Sequence, residues 1–484
     1  MVTLDDVAFA GVVRQAELVR EGEVSPRDLV ELYLDRIARL DPELHAFRTV
    51  MAERALADAD QAEARRRAGD ARPLLGVPIA VKDVEDVAGE VTGWGTAAHG
   101  GPAERDNDFV SRLRAAGAVI LGKTNLPELA IMGVTEGPAF GVSRNPWNTD
   151  RTPGGSSGGS GAAVAAGLCA AATGSDGGGS IRIPASWCGV YGYKHSFGRV
   201  PYIARPNAFT GLHPFLFEGP IARTVEDAAL VTEALAGYDP RDPFALDERP
   251  RLTQALGRSI RDWRIAYSPD FDVFPVAPEV ATVVADAVRV FEEAGAHVEA
   301  VKLGIARDQR ELSDLWCRLI IPINVATFES FKRQGTDLLA EHREDFPPEY
   351  LRWIDEGYEL RAPELMRDEE IRTAIYDAIQ GVLEDHELLV TPTLACLPVE
   401  NADDGNTKGP TEINGVEVDP LIGWCLTYPV NFSGHPAVSI PAGVAAGSLP
   451  VGMQLIGRRY ADADVLAASA AFERLRPWRD NYPA

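Results

Sequence analysis

Cysteine is scarce in this 484-residue chain: five residues, Cys169, Cys188, Cys317, Cys396 and Cys425, odd in number and widely spaced. That spacing supports neither a disulfide framework nor a paired-cysteine metal site. Basic residues are in the minority, 47 against 72 acidic ones, and the resulting net charge of −25 would repel nucleic-acid phosphates. Long hydrophobic runs are missing too, since none approaches the roughly 20 apolar residues that a bilayer requires. The opening Met1-Val2-Thr3-Leu4-Asp5-Asp6 carries acid where a secretory signal would carry basic residues. These absences lead to the expectation of a soluble, cytoplasmic, acidic enzyme without a membrane or nucleic-acid partner. A content of 45% hydrophobic and 25% charged residues is ordinary for such a chain.

Residues 1–72 read as helical. Ser25-Pro26-Arg27-Asp28 supplies an N-cap, a first-turn proline and an acidic partner ahead of Leu29, Tyr33, Ile37 and Leu40. Val77 to Val81 is a continuous apolar run, which predicts a strand buried on both faces. Asp108 to Ala116 reads as a helix stopped by Gly117, Ala118 to Leu121 as a second buried strand, and Ser157 to Ala172 as a helix of small residues. Between 240 and 385, prolines, charges and longer helices (279–294, 364–385) predict a peripheral helical region covering part of the core. Short apolar runs return at Leu388-Leu389-Val390, Ala437 to Ile440 and Val451 to Ile456, before a last helix from Asp462 to Leu475. Strands at both ends around a less regular middle favour one domain over 1–484. Its parts are N-terminal helices (1–72), a core (73–235), the peripheral region (240–385) and C-terminal core strands with a helix (386–484).

Two motifs mislead. Gly117-Ala118-Val119-Ile120-Leu121-Gly122-Lys123-Thr124 fits the phosphate-loop pattern letter for letter. That loop needs a strand before its first glycine and flexible polar residues after it. Here a helix precedes Gly117, and the intervening residues form the centre of a strand. Gly154-Gly155-Ser156-Ser157-Gly158 fits the nucleophile elbow, but the polar loop Asn145 to Pro153 stands where the elbow's strand should be. The downstream histidines, His386 and His435, lack the setting of a triad.

A third reading uses the glycine clusters together. Lys82 closes the strand Gly76-Val77-Pro78-Ile79-Ala80-Val81; Ser156 lies in Gly154-Gly155-Ser156-Ser157-Gly158-Gly159-Ser160; Ser180 lies in Asp176-Gly177-Gly178-Gly179-Ser180-Ile181-Arg182. Glycine lets a backbone turn tightly and present its N–H groups to a ligand. Serines in such loops sit beside ready-made oxyanion donors. Two serines and one lysine on constrained segments point to a hydrolase that activates serine without histidine.

On these residues the chain resembles the amidase signature family, from about residue 10 to 475. The likeness extends through Arg112 to Glu128, which accounts for the false phosphate loop, and through Asn431-Phe432-Ser433-Gly434-His435-Pro436-Ala437 and Leu449 to Gly457. The resemblance implies a single α/β/α domain around a large, twisted, mixed β-sheet. It implies Ser180 as nucleophile, Ser156 as a proton-relaying serine on a cis peptide, and Lys82 as a base that must be neutral to act. The amides of Gly177, Gly178, Gly179 and Ser180 are the implied oxyanion hole, with Asp176 and Arg182 in support. No metal, nucleotide or organic cofactor is implied, and homodimers are common in the family. Two departures concern local loop shape: Gly177 stands where relatives often carry Thr or Ile, and Gly192-Tyr193-Lys194-His195 where they usually read Gly-x-Lys-Pro.

Members of the family cleave primary amides, anilides, N-acyl amines and oligoamides, and sometimes esters or carbamates. The segments 131–140, 200–217, 310–335 and 420–430 are expected to wall the pocket. They carry Ile131, Met132, Phe209, Phe215, Trp316, Cys317, Ile321, Trp424 and Tyr428, which predicts a small-molecule amide or carbamate with an apolar or aromatic group. The alternative is the glutamine-hydrolysing component of a tRNA-dependent amidotransferase complex. Against it, the segment from Trp424 to Asn431 has no acidic side chain to hold the amino group of glutamine.

Overall fold

A computed structural model describes residues 4–98, 101–212, 214–445, 447, 449–479 and 482–483. Residues 1–3, which begin the acidic opening, lie outside the described residues. Among the described residues, eleven strands share one sheet: β1 (Phe47–Val50), β2 (Pro78–Lys82), β3 (Val119–Thr124), β4 (Ala171–Asp176), β5 (Tyr191–Lys194), β6 (Phe217–Ala222), β7 (Arg264–Tyr267), β8 (His297–Ala300), β9 (Leu388–Pro392), β10 (Ala437–Val444) and β11 (Pro450–Gly457). Their order across the sheet is β1-β3-β2-β4-β6-β5-β10-β11-β9-β7-β8. β2 runs parallel to β3 and β4, and β7 runs parallel to β8 and β9. The other pairings are antiparallel. The chain is therefore an α/β protein with a mixed sheet. Its two ends meet where β5 pairs with β10, with Lys194 opposite Ala437.

The strongest local signals act as expected. Ser25 caps the helix Pro26–Leu44 in a capping box, its Oγ accepting from the Asp28 N–H at 3.1 Å while the Asp28 carboxylate accepts from the Ser25 N–H at 3.0 Å. Leu29, Tyr33 and Ile37 are buried on one face of that helix. β2 is buried along its whole length, as a strand flanked by parallel neighbours should be. β3 extends through Gly122, Lys123 and Thr124, so the phosphate-loop letters lie within a fully buried strand. The Lys123 ammonium sits 2.6 Å from Asp83 Oδ1 and donates to the Val91 carbonyl and Thr92 Oγ1.

Three expectations need correction. The stretch 1–72, read as helical, also contains β1, which pairs antiparallel with β3 at one edge of the sheet. The helix predicted over 157–172 spans only Gly158–Ala165. Gly167, at φ +63°, ends it in a Schellman motif: the Leu168 N–H donates to the Ala163 carbonyl and the Gly167 N–H to the Val164 carbonyl. The residues after it become β4, whose Ala-Ala-Thr-Gly-Ser-Asp sequence carries no β-branched run to announce a strand. Residues 240–385 hold the helices Pro278–Glu293, Gln309–Arg333 and Ala362–Asp385, but they also supply β7 and β8 to one end of the sheet. β8 is an edge strand with exposed His297, Glu299 and Ala300, so the apolar pattern of a buried strand is missing.

Candidate active site

β2 and β4 are parallel neighbours, so their C-terminal ends bring Lys82 and Ser175 to the same edge of the sheet. The Lys82 N–H is held by Thr173 Oγ1 at 2.9 Å. Its ammonium nitrogen donates to Ser156 Oγ at 2.7 Å and to Ser175 Oγ at 2.8 Å. The Gly155–Ser156 peptide bond is cis. Lys82 and Ser156 are completely buried. Burial lowers the lysine to about 7, against the opposing pull of the Glu85, Asp176 and Glu218 carboxylates. A neutral amine, with a lone pair able to take a proton from Ser156, is therefore accessible near neutral pH.

The loop after β4 is fixed from several sides. Asp176 accepts from the N–H groups of Gly179 (2.8 Å) and Ile181 (3.3 Å), from Asn431 Nδ2 (3.0 Å), and from Arg182 Nε and Nη2 (3.0 and 2.9 Å). Arg182 also reaches the Thr427 carbonyl, Gln454 Oε1 and Asn431 Oδ1. Burial alone would raise the Asp176 carboxyl, but Arg182, Lys194 and Asn431 hold it below its ordinary range. Trp316 Nε1 donates to the Gly177 carbonyl at 3.0 Å, and Thr427 Oγ1 to the Gly178 carbonyl at 2.6 Å. Gly179, at φ +133°, has no room for a side chain, because a Cβ there would meet Thr427 Oγ1 at 2.1 Å. Asp176 and Arg182 thus bind each other and tie the loop to the surrounding core. The expected set of four oxyanion donors needs revision: the Gly179 N–H is engaged by Asp176, while the N–H groups of Gly177, Gly178 and Ser180 make no protein hydrogen bond among the described residues.

Ser180, half-buried, lines a cavity of about 180 Å³ together with Asp176, Gly177 and Gly178. Among the described residues no hydrogen bond joins the hydroxyls of Ser180 and Ser156. All four segments expected to wall the pocket contribute to it, but not through every residue named. Ile131, Met132 and Trp316 line the cavity, whereas Cys317 and Trp424 do not. The helix Gln309–Arg333 presents Trp316, Ile320, Ile323, Asn324 and Thr327 to the cavity, a stripe at helical spacing. Cys317 lies about 100° further round that helix and is buried in the core. Trp424 is a core residue as well, stacked on Trp187 with ring centroids 4.6 Å apart and planes 6° apart. Phe209 is 57% exposed, Phe215 packs on Phe197, and neither Ile321 nor Tyr428 reaches the cavity.

Several residues at the site went unassigned in the sequence. Ser175 was visible as the neighbour of Asp176, and Asn431 lay within a family motif; both signals pointed only to the region. Glu218 lines the cavity because β6 pairs with β4, placing it opposite Ser175. No local pattern carries that information. Among the described residues, no group of three or more histidine, cysteine or acidic side chains is arranged to hold a metal ion, and no helix is long and apolar enough to cross a membrane.

The family model described as Amidase matches residues 28–466. A putative amidase of Mycobacterium tuberculosis is 37% identical, with 99% of each chain covered. The A subunit of the glutamyl-tRNA(Gln) amidotransferase from Roseiflexus castenholzii is 36% identical, over 98% of this chain and 97% of its own length. Among solved structures, a bacterial aryl acylamidase of the amidase signature family superposes with a TM-score of 0.94 at 44% identity, covering 98% of both chains.

Proposed function

Because the chain belongs to the amidase signature family and is an amide-hydrolysing enzyme, we propose that it cleaves apolar or aromatic amides through an acyl-enzyme formed on Ser180. The observation that carries this reading is the contact between buried Lys82 and Ser156 at 2.7 Å, beside a cavity lined by Ser180. Ser180 Oγ attacks the amide carbonyl carbon. Its proton passes to Ser156 Oγ as the Ser156 proton passes to the Lys82 amine. The developing oxyanion takes hydrogen bonds from the N–H groups of Gly177, Gly178 and Ser180. As the carbon–nitrogen bond breaks, the proton held on Lys82 returns through Ser156 to the leaving amine. Water then attacks the Ser180 ester by the same relay, releasing the carboxylic acid. Esters and aryl carbamates can enter by the same route.

The choice of apolar or aromatic substrates rests on walls such as Trp94, Leu129, Ile131, Met132, Trp316 and Ile320. The aryl acylamidase is a precedent for an aryl amide on the same scaffold. The likeness to a component of a glutamyl-tRNA(Gln) amidotransferase supports a second reading, in which glutamine is the substrate. The test is amine or ammonia release from a primary aliphatic amide, an anilide, an oligoamide, an aryl carbamate and glutamine, with wild type and Ser180→Ala side by side. The expected result is turnover of the anilide that vanishes in the variant. Turnover of glutamine alone would favour the second reading, and turnover that survives in Ser180→Ala would remove this nucleophile.

A further inference from the structure

The cavity is apolar over most of its wall, and several of its polar groups are already engaged within the protein. Asp176 is committed to Arg182, both side chains being fully buried. Trp316 Nε1 is committed to the Gly177 carbonyl, and Ser175 to Lys82. Glu218 and Asn324 are among the cavity-lining side chains with no such commitment. The Glu218 carboxyl makes no hydrogen bond among the described residues; its neighbours are the charges of Glu85 and Lys82. Asn324 is 6% exposed, and its Nδ2 is buried without a hydrogen-bond partner. A buried amide donor left unpaired is rare in folded proteins and calls for a partner.

Both groups stand on regular elements. Glu218 stands directly opposite Ser175 across an antiparallel pair, so the two side chains leave the same face of the sheet, where Ser175 meets Lys82. Asn324 sits two turns along the helix Gln309–Arg333 from Trp316, on the stripe that lines the cavity. The two line the cavity from a strand and from a helix, one with carboxyl oxygens and the other with an unpaired amide N–H.

We propose, as an extension of the amide-hydrolase reading, that Glu218 and Asn324 are specificity-determining residues that select apolar-bodied amides carrying a hydrogen-bonding head group, a hydroxyl or an amine, over plain hydrocarbon analogues. The carboxyl takes the head group's O–H or N–H, and the Asn324 amide donates to a substrate oxygen. A site with polar groups built to be paired rejects the ligand that cannot pair them, and more sharply than an apolar pocket rejects a missing methyl group. Burial and the nearby Glu85 carboxylate raise Glu218 well above its ordinary range, while Lys82 opposes this. A neutral carboxylic acid can therefore serve a hydroxyl, and an ammonium head group would draw it into the ionised form.

The test uses two substrate series, para-substituted acetanilides and para-substituted phenylacetamides, so that the head group sits once on the amine side and once on the acyl side. Each series carries methyl, hydroxyl, aminomethyl or carboxylate, and kcat/KM is measured for wild type, Glu218→Leu and Asn324→Leu. Dissociation constants of the same compounds for Ser180→Ala and for its double variants with Glu218→Leu and Asn324→Leu read the cavity without turnover. In at least one series the hydroxyl or aminomethyl member should exceed the methyl member by about tenfold or more in wild type, with the carboxylate poorest. That ratio should fall toward one in either variant, in kcat/KM and in affinity alike. The hydroxyl and aminomethyl arms separate a neutral head group from a cationic one. Equal or better use of the methyl compounds in both series, or a ratio that neither variant changes, would overturn the assignment. If no compound is hydrolysed, the proposed amide activity fails on this panel while the affinities still decide for or against Glu218 and Asn324.

Discussion

Replacing Lys82 by methionine should abolish catalysis yet stabilise the fold, by an amount that depends on pH. A lysine has an ordinary value of 10.5 and is held near 7 here by burial. Between these values the folded chain binds fewer protons at this position than the unfolded chain, so native stability rises with pH across the window. A gap of about 3.5 at roughly 1.36 kcal/mol per pH unit corresponds to a penalty of about 5 kcal/mol at pH 6, falling to about 2 kcal/mol at pH 9. Methionine fills similar space without this penalty. It also leaves the Ser156 and Ser175 hydroxyls without Lys82, a pH-independent loss of about 1–3 kcal/mol. Guanidinium unfolding of both proteins at pH 6 and pH 9 should show the variant's advantage shrinking by roughly 3 kcal/mol between the two. In parallel, wild-type kcat/KM should rise about tenfold per pH unit below 7 and level off above it. A stability gap that stays constant or widens with pH would mean that Lys82 is charged in the folded protein, and the base mechanism would fail.

Arg182→Met should lower stability by about 3–5 kcal/mol, because it strands the Asp176 carboxylate in a fully buried site; chemical denaturation measures this, and turnover should fall with it as the loop loses its anchor. Trp316 and Trp424 should separate cleanly. Trp424→Ala empties a core position and should cost about 3–5 kcal/mol of stability, whereas Trp316→Ala, which removes a cavity wall and the donor to the Gly177 carbonyl, should raise KM and lower kcat.

The residues proposed for catalysis stand out in the sequence because Ser156 and Ser180 lie in glycine-rich stretches of characteristic spelling, and because Lys82 ends a strand apolar enough to announce its own burial. β2, β3, β10 and β11 were legible for the same reason, as short continuous apolar runs. β4 was not, since Ala171 to Asp176 are small or polar and its place in the sheet comes from its neighbours. The failures at the pocket are of another kind. Cys317 and Trp316 are adjacent in sequence and equally apolar in context, and only the phase of their helix separates core from cavity. Trp424 is held away by stacking on Trp187, more than two hundred positions upstream. Glu218 owes its place beside Lys82 to a strand pairing, and the Gly179 N–H is withdrawn from the cavity by a side chain three residues away whose direction no motif specifies.

The proposed chemistry stands or falls on a covalent intermediate at Ser180. Wild type turning over a p-nitrophenyl ester should be quenched in acid, digested, and its peptides weighed. The peptide containing Ser180 should carry the mass of one acyl group, absent from Ser180→Ala. An acyl group on Ser156 or any other residue, or acylation of Ser180→Ala at the wild-type rate, would contradict this mechanism.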